Sequence, residues 1–162
     1  DKLELFRQIT YFREPMCSFY NYSYLLRLDK ITALTTDRPE YFMIFINFKN
    51  LKQIDRNWGY LSTDQILDEI GENIQQSMND FSMMNSVING KALLFRRSSD
   101  YLIFANYPLD SMQQLSDIIQ DQLHTCKNEW ELEASFLLES FLPTCSLEDA
   151  LNQLLRTGDK DL

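Results

Sequence analysis

YFMIFINFKNLKQIDRNWGYLSTD, Tyr41 to Asp64, decides how the rest of the chain is read. Its first eight residues, Tyr41 to Phe48, are apolar except for Asn47 and rich in aromatic and β-branched side chains. A run of that length and composition predicts a strand buried on both faces, the central strand of a sheet. Further along, RRSSDYLIFANY from Arg96 to Tyr107 sets two apolar segments on either side of Ser98-Ser99-Asp100. That is the pattern of a β-hairpin whose tight turn lies beside the end of the first strand. The two stretches together place Asn47, Lys49 and Asp100 near one another at a sheet edge.

The totals suit this reading. A chain of 162 residues with 44% hydrophobic composition can bury the core of one domain. The net charge of -9 excludes the basic face that a duplex nucleic-acid binder needs, so no nucleic-acid partner is expected. No apolar run approaches the ~20 residues that span a bilayer, and the N-terminus lacks the order of a signal peptide. Cys17, Cys126 and Cys145 are odd in number and match no metal-ligand spacing, which favours reduced core thiols and a cytoplasmic setting. The chain opens in helical pattern without an initiator Met, as a segment of a longer protein or a processed chain would.

Outward from the central strand, residues 2–13 carry Leu3, Leu5, Phe6, Ile9 and Phe12 at helical spacing and form an entry helix, and residues 14–162 form the domain proper. Glu14-Pro15 breaks the entry helix, and a second helix follows from Asn21 to Thr35. After the strand come a short helix over 50–57, a turn at Gly59, and a helix over 63–78 capped by Ser62 with Gln65. Residues 79–90 are polar and Asn/Ser/Met-rich and predict a loop. The hairpin spans 91–106, a helix 110–124 carries Leu115, Ile118, Ile119 and Leu123, a strand lies within 131–141, and a last helix over 146–156 starts at Ser146 with Asp149. The fold class is therefore α+β, a sandwich with helices on both faces of a mainly antiparallel sheet.

Three blocks of the chain resemble the GGDEF domain, the catalytic unit of diguanylate cyclases. Glu14 to Leu26 looks like the family's opening Asp-Pro-Leu-Thr-Gly-Leu-x-Asn-Arg-Arg-x-Leu. Ile46 to Asp64 aligns without a gap on Ile-Asp-Ile-Asp-x-Phe-Lys-x-Ile-Asn-Asp-x-x-Gly-His-x-x-Gly-Asp, and Arg96 to Leu102 takes the place of Arg-x-Gly-Gly-Asp/Glu-Glu-Phe. The resemblance implies the nucleotidyl-cyclase-like sandwich. It also implies a nucleotide cleft in which two carboxylates hold Mg²⁺ against a triphosphate.

At that cleft the residues depart from the family. Its two metal-binding positions are Asn47 and Asp100, and its second strand-end Asp is Lys49. Mg²⁺ needs near-octahedral, mostly charged oxygen ligands, and since unit charges 4 Å apart interact by ~4 kcal/mol at an effective dielectric constant of about 20, an inward ammonium would by itself disfavour the ion. The signature glycines are Ser98 and Ser99, its second acid is Tyr101, and the guanine-recognising pair is Asp55 and Asp64, of which only Asp64 matches. The family's product-inhibition motif falls on Asn89-Gly90-Lys91-Ala92 and has lost both charges. Lys49 could bind phosphate directly, and Arg96 and Arg97 alternate on a strand so that one lines the cleft while the other faces solvent. Bland roles exist for each group: Asp100 suits a hairpin turn, Asp64 the first turn of a helix, Lys49 a solvated strand end, and Trp58 with Tyr60 packing over the sheet edge. His124 has no catalytic partner in sequence, and Met78, Met83 and Met84 suit either core or contact surface.

The expectation is a degenerate GGDEF-like domain with no cofactor, no metal and no catalytic residue, a regulatory or interaction module of a bacterial cyclic-dinucleotide signalling protein. The vestigial cleft comprises Asn47, Lys49, Asp55, Asp64, Arg97, Ser98, Ser99 and Asp100. Its partners would be a protein or neighbouring domains of the same chain, with a homodimer formed through the N-terminal helix and a location in the cytoplasm, including the cytoplasmic part of a membrane-anchored protein. Two alternatives stand beside it. One is a receptor that binds GTP, ATP or a cyclic dinucleotide without turnover. The other is a weak nucleotide hydrolase within a cyclic di-AMP phosphodiesterase, since Arg-x-Ser-Ser-Asp/Glu resembles the variant signature of the degenerate GGDEF domain in those enzymes.

Overall fold

Tyr41–Phe48 forms an eight-residue strand, β2, with every side chain but Asn47 buried. The computed structural model describes residues 20–21, 40–88, 90–142, 145 and 147–160. Over these, β1 (Tyr20–Asn21), β3 (Ala92–Arg97), β4 (Asp100–Ala105) and β5 (Ala134–Phe141) complete a sheet of order β1-β3-β4-β2-β5. Only the β1–β3 pair is parallel. β2 lies inside the sheet between β4 and β5, although the middle position belongs to β4.

Alternation along β2 divides the core. Phe42, Ile44, Ile46 and Phe48 face α1 (Leu51–Trp58), α2 (Tyr60–Met84) and α3 (Leu109–Trp130), together with Tyr101 and Ile103 of β4. Tyr41, Met43 and Phe45 face the other way, against Ala150, Leu151 and Leu154 of α4 (Leu147–Lys160). The sheet is thus covered on both sides, as the apolar run predicts. The result is the α+β sandwich.

Several boundaries differ from the sequence expectations. The polar stretch over 79–90, whose composition predicts a loop, is helix as far as Met84, because Met78 and Phe81 extend the buried stripe of Ile66, Ile70 and Ile74 while Asn79, Asp80 and Ser82 occupy other faces. α3 likewise runs six residues past His124, since Cys126 continues the stripe of Leu115, Ile119 and Leu123; Ile118 lies at its margin rather than in it. Ser62 caps nothing. α2 starts straight after Gly59, whose φ of 86° lets one residue close α1, donating its N–H to the Asp55 carbonyl, and open α2, accepting from Thr63. Asn21 belongs to β1 rather than opening a helix. The expected helices over 2–13 and 22–35, the Glu14-Pro15 break, the Ser146 cap and the placement of Cys17 fall outside the described residues. Cys126 is a buried free thiol. Met78 is core, whereas Met83 is 77% exposed. Trp58 stands half in solvent instead of closing over the sheet edge.

Candidate functional site

The register of β2 with β4 sets Ile46 opposite Tyr101, which brings the next rung, Asn47, beside Asp100 at the mouth of the hairpin turn. Asn47 Nδ2 donates to Asp100 Oδ1 at 3.0 Å, and Arg97 Nη1 donates to Asp100 Oδ2 at 3.3 Å across the turn. Both carboxylate oxygens are therefore engaged. The cluster lies at the ends of two interior strands, not at the sheet edge expected from sequence, because β5 continues the sheet beyond β2.

Ser98 and Ser99 make the two-residue turn that joins β3 to β4. Ser98 has a φ of 56°, the left-handed region that glycine enters freely and a Cβ-bearing residue enters at a cost of about 1–2 kcal/mol. Arg96 holds this turn from the other face. Its Nε donates to the Ser98 carbonyl at 2.9 Å, Nη2 donates to Asp64 Oδ1 at 2.9 Å, and Nη1 pairs with Asp68. One planar guanidinium thus ties the turn to the first turns of α2, a task suited to its fixed fork of donors. Burial draws the Arg96 guanidinium down, but Tyr101 and the two carboxylates more than offset this and leave it above its ordinary value. Tyr101 is fully buried and donates its hydroxyl to the Leu67 carbonyl at 2.6 Å, a second pin between β4 and α2.

The structure brings Asn47, Arg97, Ser98, Ser99 and Asp100 into one cluster and joins Asp64 to the turn through Arg96. Both arginines have partners, on opposite faces of β3, where sequence alternation predicts one lining and one solvated. Arg96 was identified from sequence, but its partner Asp68 was not; the only signal was its place one helical turn after Asp64. Lys49 does not point inward. Its backbone N–H donates to the Glu133 carbonyl at 2.9 Å and its side chain is exposed. Asp55 sits in α1 with Oδ1 buried and without a hydrogen-bond partner, as does Asn47 Oδ1.

A dication can be tested against these donors. Mg²⁺ asks for six oxygens in an octahedron, usually with carboxylate charge. Asp100 offers two oxygens already committed to an amide and a guanidinium, Asn47 offers one neutral oxygen, and no group of three or more His, Cys, Asp or Glu side chains suited to a metal occurs among the described residues. The set does not fit Mg²⁺.

The family model for the diguanylate cyclase GGDEF domain matches residues 15–160. Among curated protein sequences none matches the chain. Solved structures that resemble it include the diguanylate cyclase SiaD of Pseudomonas aeruginosa in complex with its activator SiaC, at a TM-score of 0.70 and 15% identity over 96% of this chain and 59% of that one. The Vibrio cholerae LapD S helix-GGDEF-EAL chain bound to c-di-GMP matches at 0.63 and 13%, over 99% of this chain and 37% of that one. DgcB of Caulobacter crescentus, coiled coil and GGDEF domain with c-di-GMP, matches at 0.62 and 10%, over 96% and 82%. The chain spans less than two thirds of the SiaD and LapD chains, and at these identities the likeness is one of fold. With the family match extending over most of its length, the chain belongs to the GGDEF-domain family of diguanylate cyclases.

Proposed function

We propose that this GGDEF domain makes no cyclic di-GMP and works as a regulatory module of a cyclic-dinucleotide signalling protein, through contacts with a protein partner or with neighbouring domains. The observation that carries the reading is the state of Asp100, whose two oxygens are held by Asn47 and Arg97 where the family places a metal ion. Phosphoryl transfer in this fold depends on dications to position the phosphates and neutralise developing charge, and one carboxylate is too few for that. The Cβ atoms of Ser98 and Ser99 add to it by narrowing the approach of backbone to a nucleotide. The structure of SiaD with its activator SiaC gives precedent within the fold for regulation by a protein partner, and LapD gives precedent for a GGDEF domain joined to other segments of one chain. No helix of the described residues is long and apolar enough to cross a membrane. The test is incubation with GTP and Mg²⁺ or Mn²⁺ followed by mass spectrometry of the products. The expected result is no cyclic di-GMP above a protein-free control, and a time-dependent product would overturn the proposal.

A second reading, binding of a nucleotide without turnover, is favoured by the exposed cation of Lys49 and by the two orphaned acceptors Asn47 Oδ1 and Asp55 Oδ1, which a ligand's N–H groups would satisfy. Against it stands Asp64, already paired with Arg96. Calorimetry with GTP, ATP, cyclic di-GMP and cyclic di-AMP decides between the two; absence of heat with all four removes the second.

A further inference from the structure

β5 ends the sheet, and its outer edge is open among the described residues. Which of its backbone groups face outward follows from one bond. Lys49 donates its N–H to the Glu133 carbonyl, so the rung 49/133 is hydrogen-bonded, and in an antiparallel ladder such rungs alternate. Asn47/Ser135, Phe45/Leu137 and Met43/Glu139 are therefore the bonded rungs. The N–H and C=O groups of Ala134, Phe136, Leu138 and Ser140 point away from β2, toward solvent.

The side chains of Ala134, Phe136 and Leu138 lie on the face covered by α3. There α3 overhangs the edge and leaves a groove of about 200 Å³ lined by Gln120, Leu123, His124 and Lys127 on one side and by Ala134 and Phe136 on the other. Within a chain of net charge -9, the ionised group lining this groove is a cation, Lys127. Glu139 occupies an odd position, and alternation sends it to the opposite face of β5.

We propose that this edge and groove receive an extended segment of a partner protein, which adds as a sixth strand beside β5 and presents to the groove apolar side chains and one carboxylate that pairs with Lys127. Strand addition is a general mode of peptide recognition in which backbone bonds supply affinity and alternate side chains supply selectivity. The single carboxylate follows from two opposing charges: the lysine attracts it, and the acidic remainder of the chain repels a longer acidic run. A second copy of this chain is the poorer occupant, since its own β5 would bring Ala134, Phe136 and Leu138 to the groove and no acid to meet Lys127, while gathering the Glu139 side chains of both copies on the other face. The inference does not depend on whether the cleft is catalytic, because the open edge is formed by other elements.

The test uses an acetylated eight-residue peptide of alternating threonine and valine in which one central valine is replaced by glutamate, with counterparts carrying glutamine or lysine at that place. Binding to the chain is followed by fluorescence anisotropy and by amide hydrogen exchange. The glutamate peptide is expected to bind at least tenfold more tightly than the lysine one, to slow exchange at Phe136 and Leu138, and to lose its advantage in Lys127→Glu, a surface change that leaves the fold intact. Leu138→Pro, which deletes an outward N–H, should weaken all three peptides while circular dichroism is unchanged. Equal affinities, absence of saturable binding of the glutamate peptide at millimolar concentration, or binding without protection of Phe136 and Leu138 would each overturn the proposal. Protection of those amides by self-association, without peptide, would replace it with an edge-to-edge dimer.

Discussion

Replacing Arg96 by Met keeps the length and apolar stem of the side chain and removes the guanidinium that ties the hairpin turn to α2. Three links go at once: to the Ser98 carbonyl, to Asp64 and to Asp68. The side chain of Arg96 is only 11% exposed, but Asp64 is 59% and Asp68 37% exposed, so each ion pair is discounted toward the surface range of about 0.2–1 kcal/mol. A charged hydrogen bond to the turn carbonyl adds about 1 kcal/mol. The sum is about 1.5–3 kcal/mol, which for a domain of this size lowers Tm by about 3–12 °C. Part of this loss is electrostatic, so the gap between wild type and Arg96→Met should narrow in 1 M NaCl, where the screening length falls to about 3 Å. Urea unfolding of the natural chain, of Arg96→Met, of Asp68→Asn and of the double variant gives the pairwise coupling directly. Coupling below about 0.3 kcal/mol together with an unchanged Tm would show that the guanidinium is solvated in practice and that the turn is held by other means.

Ser98→Gly removes the Cβ from a left-handed residue and should raise stability by up to about 1 kcal/mol, read as a Tm increase of about 2–4 °C; a fall in Tm contradicts the turn geometry. Tyr101→Phe removes the buried hydrogen bond to the Leu67 carbonyl, which lies within the α2 ladder, and should cost about 0.5–1.5 kcal/mol in urea unfolding. Burial pushes the Cys126 thiol up from 9.0 to about 11, with Glu129 adding to it; the unfolded chain then releases this proton first, so stability is full below about pH 9 and falls as pH rises toward about 11, and Cys126→Ala should flatten that slope. Asn47→Asp restores a second carboxylate beside Asp100, and 10 mM Mn²⁺ should then raise Tm by about 2–5 °C, as a site of millimolar Kd would, whereas the natural chain should not respond.

What the sequence disclosed was set by local chemistry. The unbroken apolar run of Tyr41 to Phe48 permits little but a doubly covered strand, and the spacing of Ser98-Ser99 within RRSSDYLIF permits little but a two-residue turn, so the meeting of Asn47 with Asp100 could be anticipated. The length of α2 could not, because Asn79, Asp80 and Ser82 resemble loop residues until Phe81 is known to find Tyr107, whose ring lies 5.3 Å away at 82°. The destination of Arg96 was hidden for a different reason. Its partners lie 28 and 32 residues earlier in the chain, and an exposed Asp on a helix carries no local sign of being chosen. Lys49 shows the reverse: strand periodicity places it near the cleft, but the strand ends at Phe48 and the next side chain turns to water, the solvated strand end that the sequence also allows.

With Lys49 turned to water, another residue matters most to the proposed loss of metal chemistry. An inward Lys49 about 4 Å away would oppose a dication by ~8 kcal/mol at an effective dielectric constant of about 20, twice the value for unit charges, but an exposed ammonium in high dielectric opposes it by only about 2 kcal/mol at the same distance. Arg97 is also a modest obstacle, because its side chain is 41% exposed and releasing Asp100 costs no more than a surface ion pair, about 1 kcal/mol or less. The amide of Asn47 is different in kind. It removes a full negative charge from the inner position, where each anionic oxygen contributes several kcal/mol to holding Mg²⁺, and it spends its own N–H on the one carboxylate that is left. The replacement of aspartate by asparagine at the end of β2 therefore carries more of the deficit than the two basic residues around it, and it is the position at which a single substitution has the best chance of bringing a metal back.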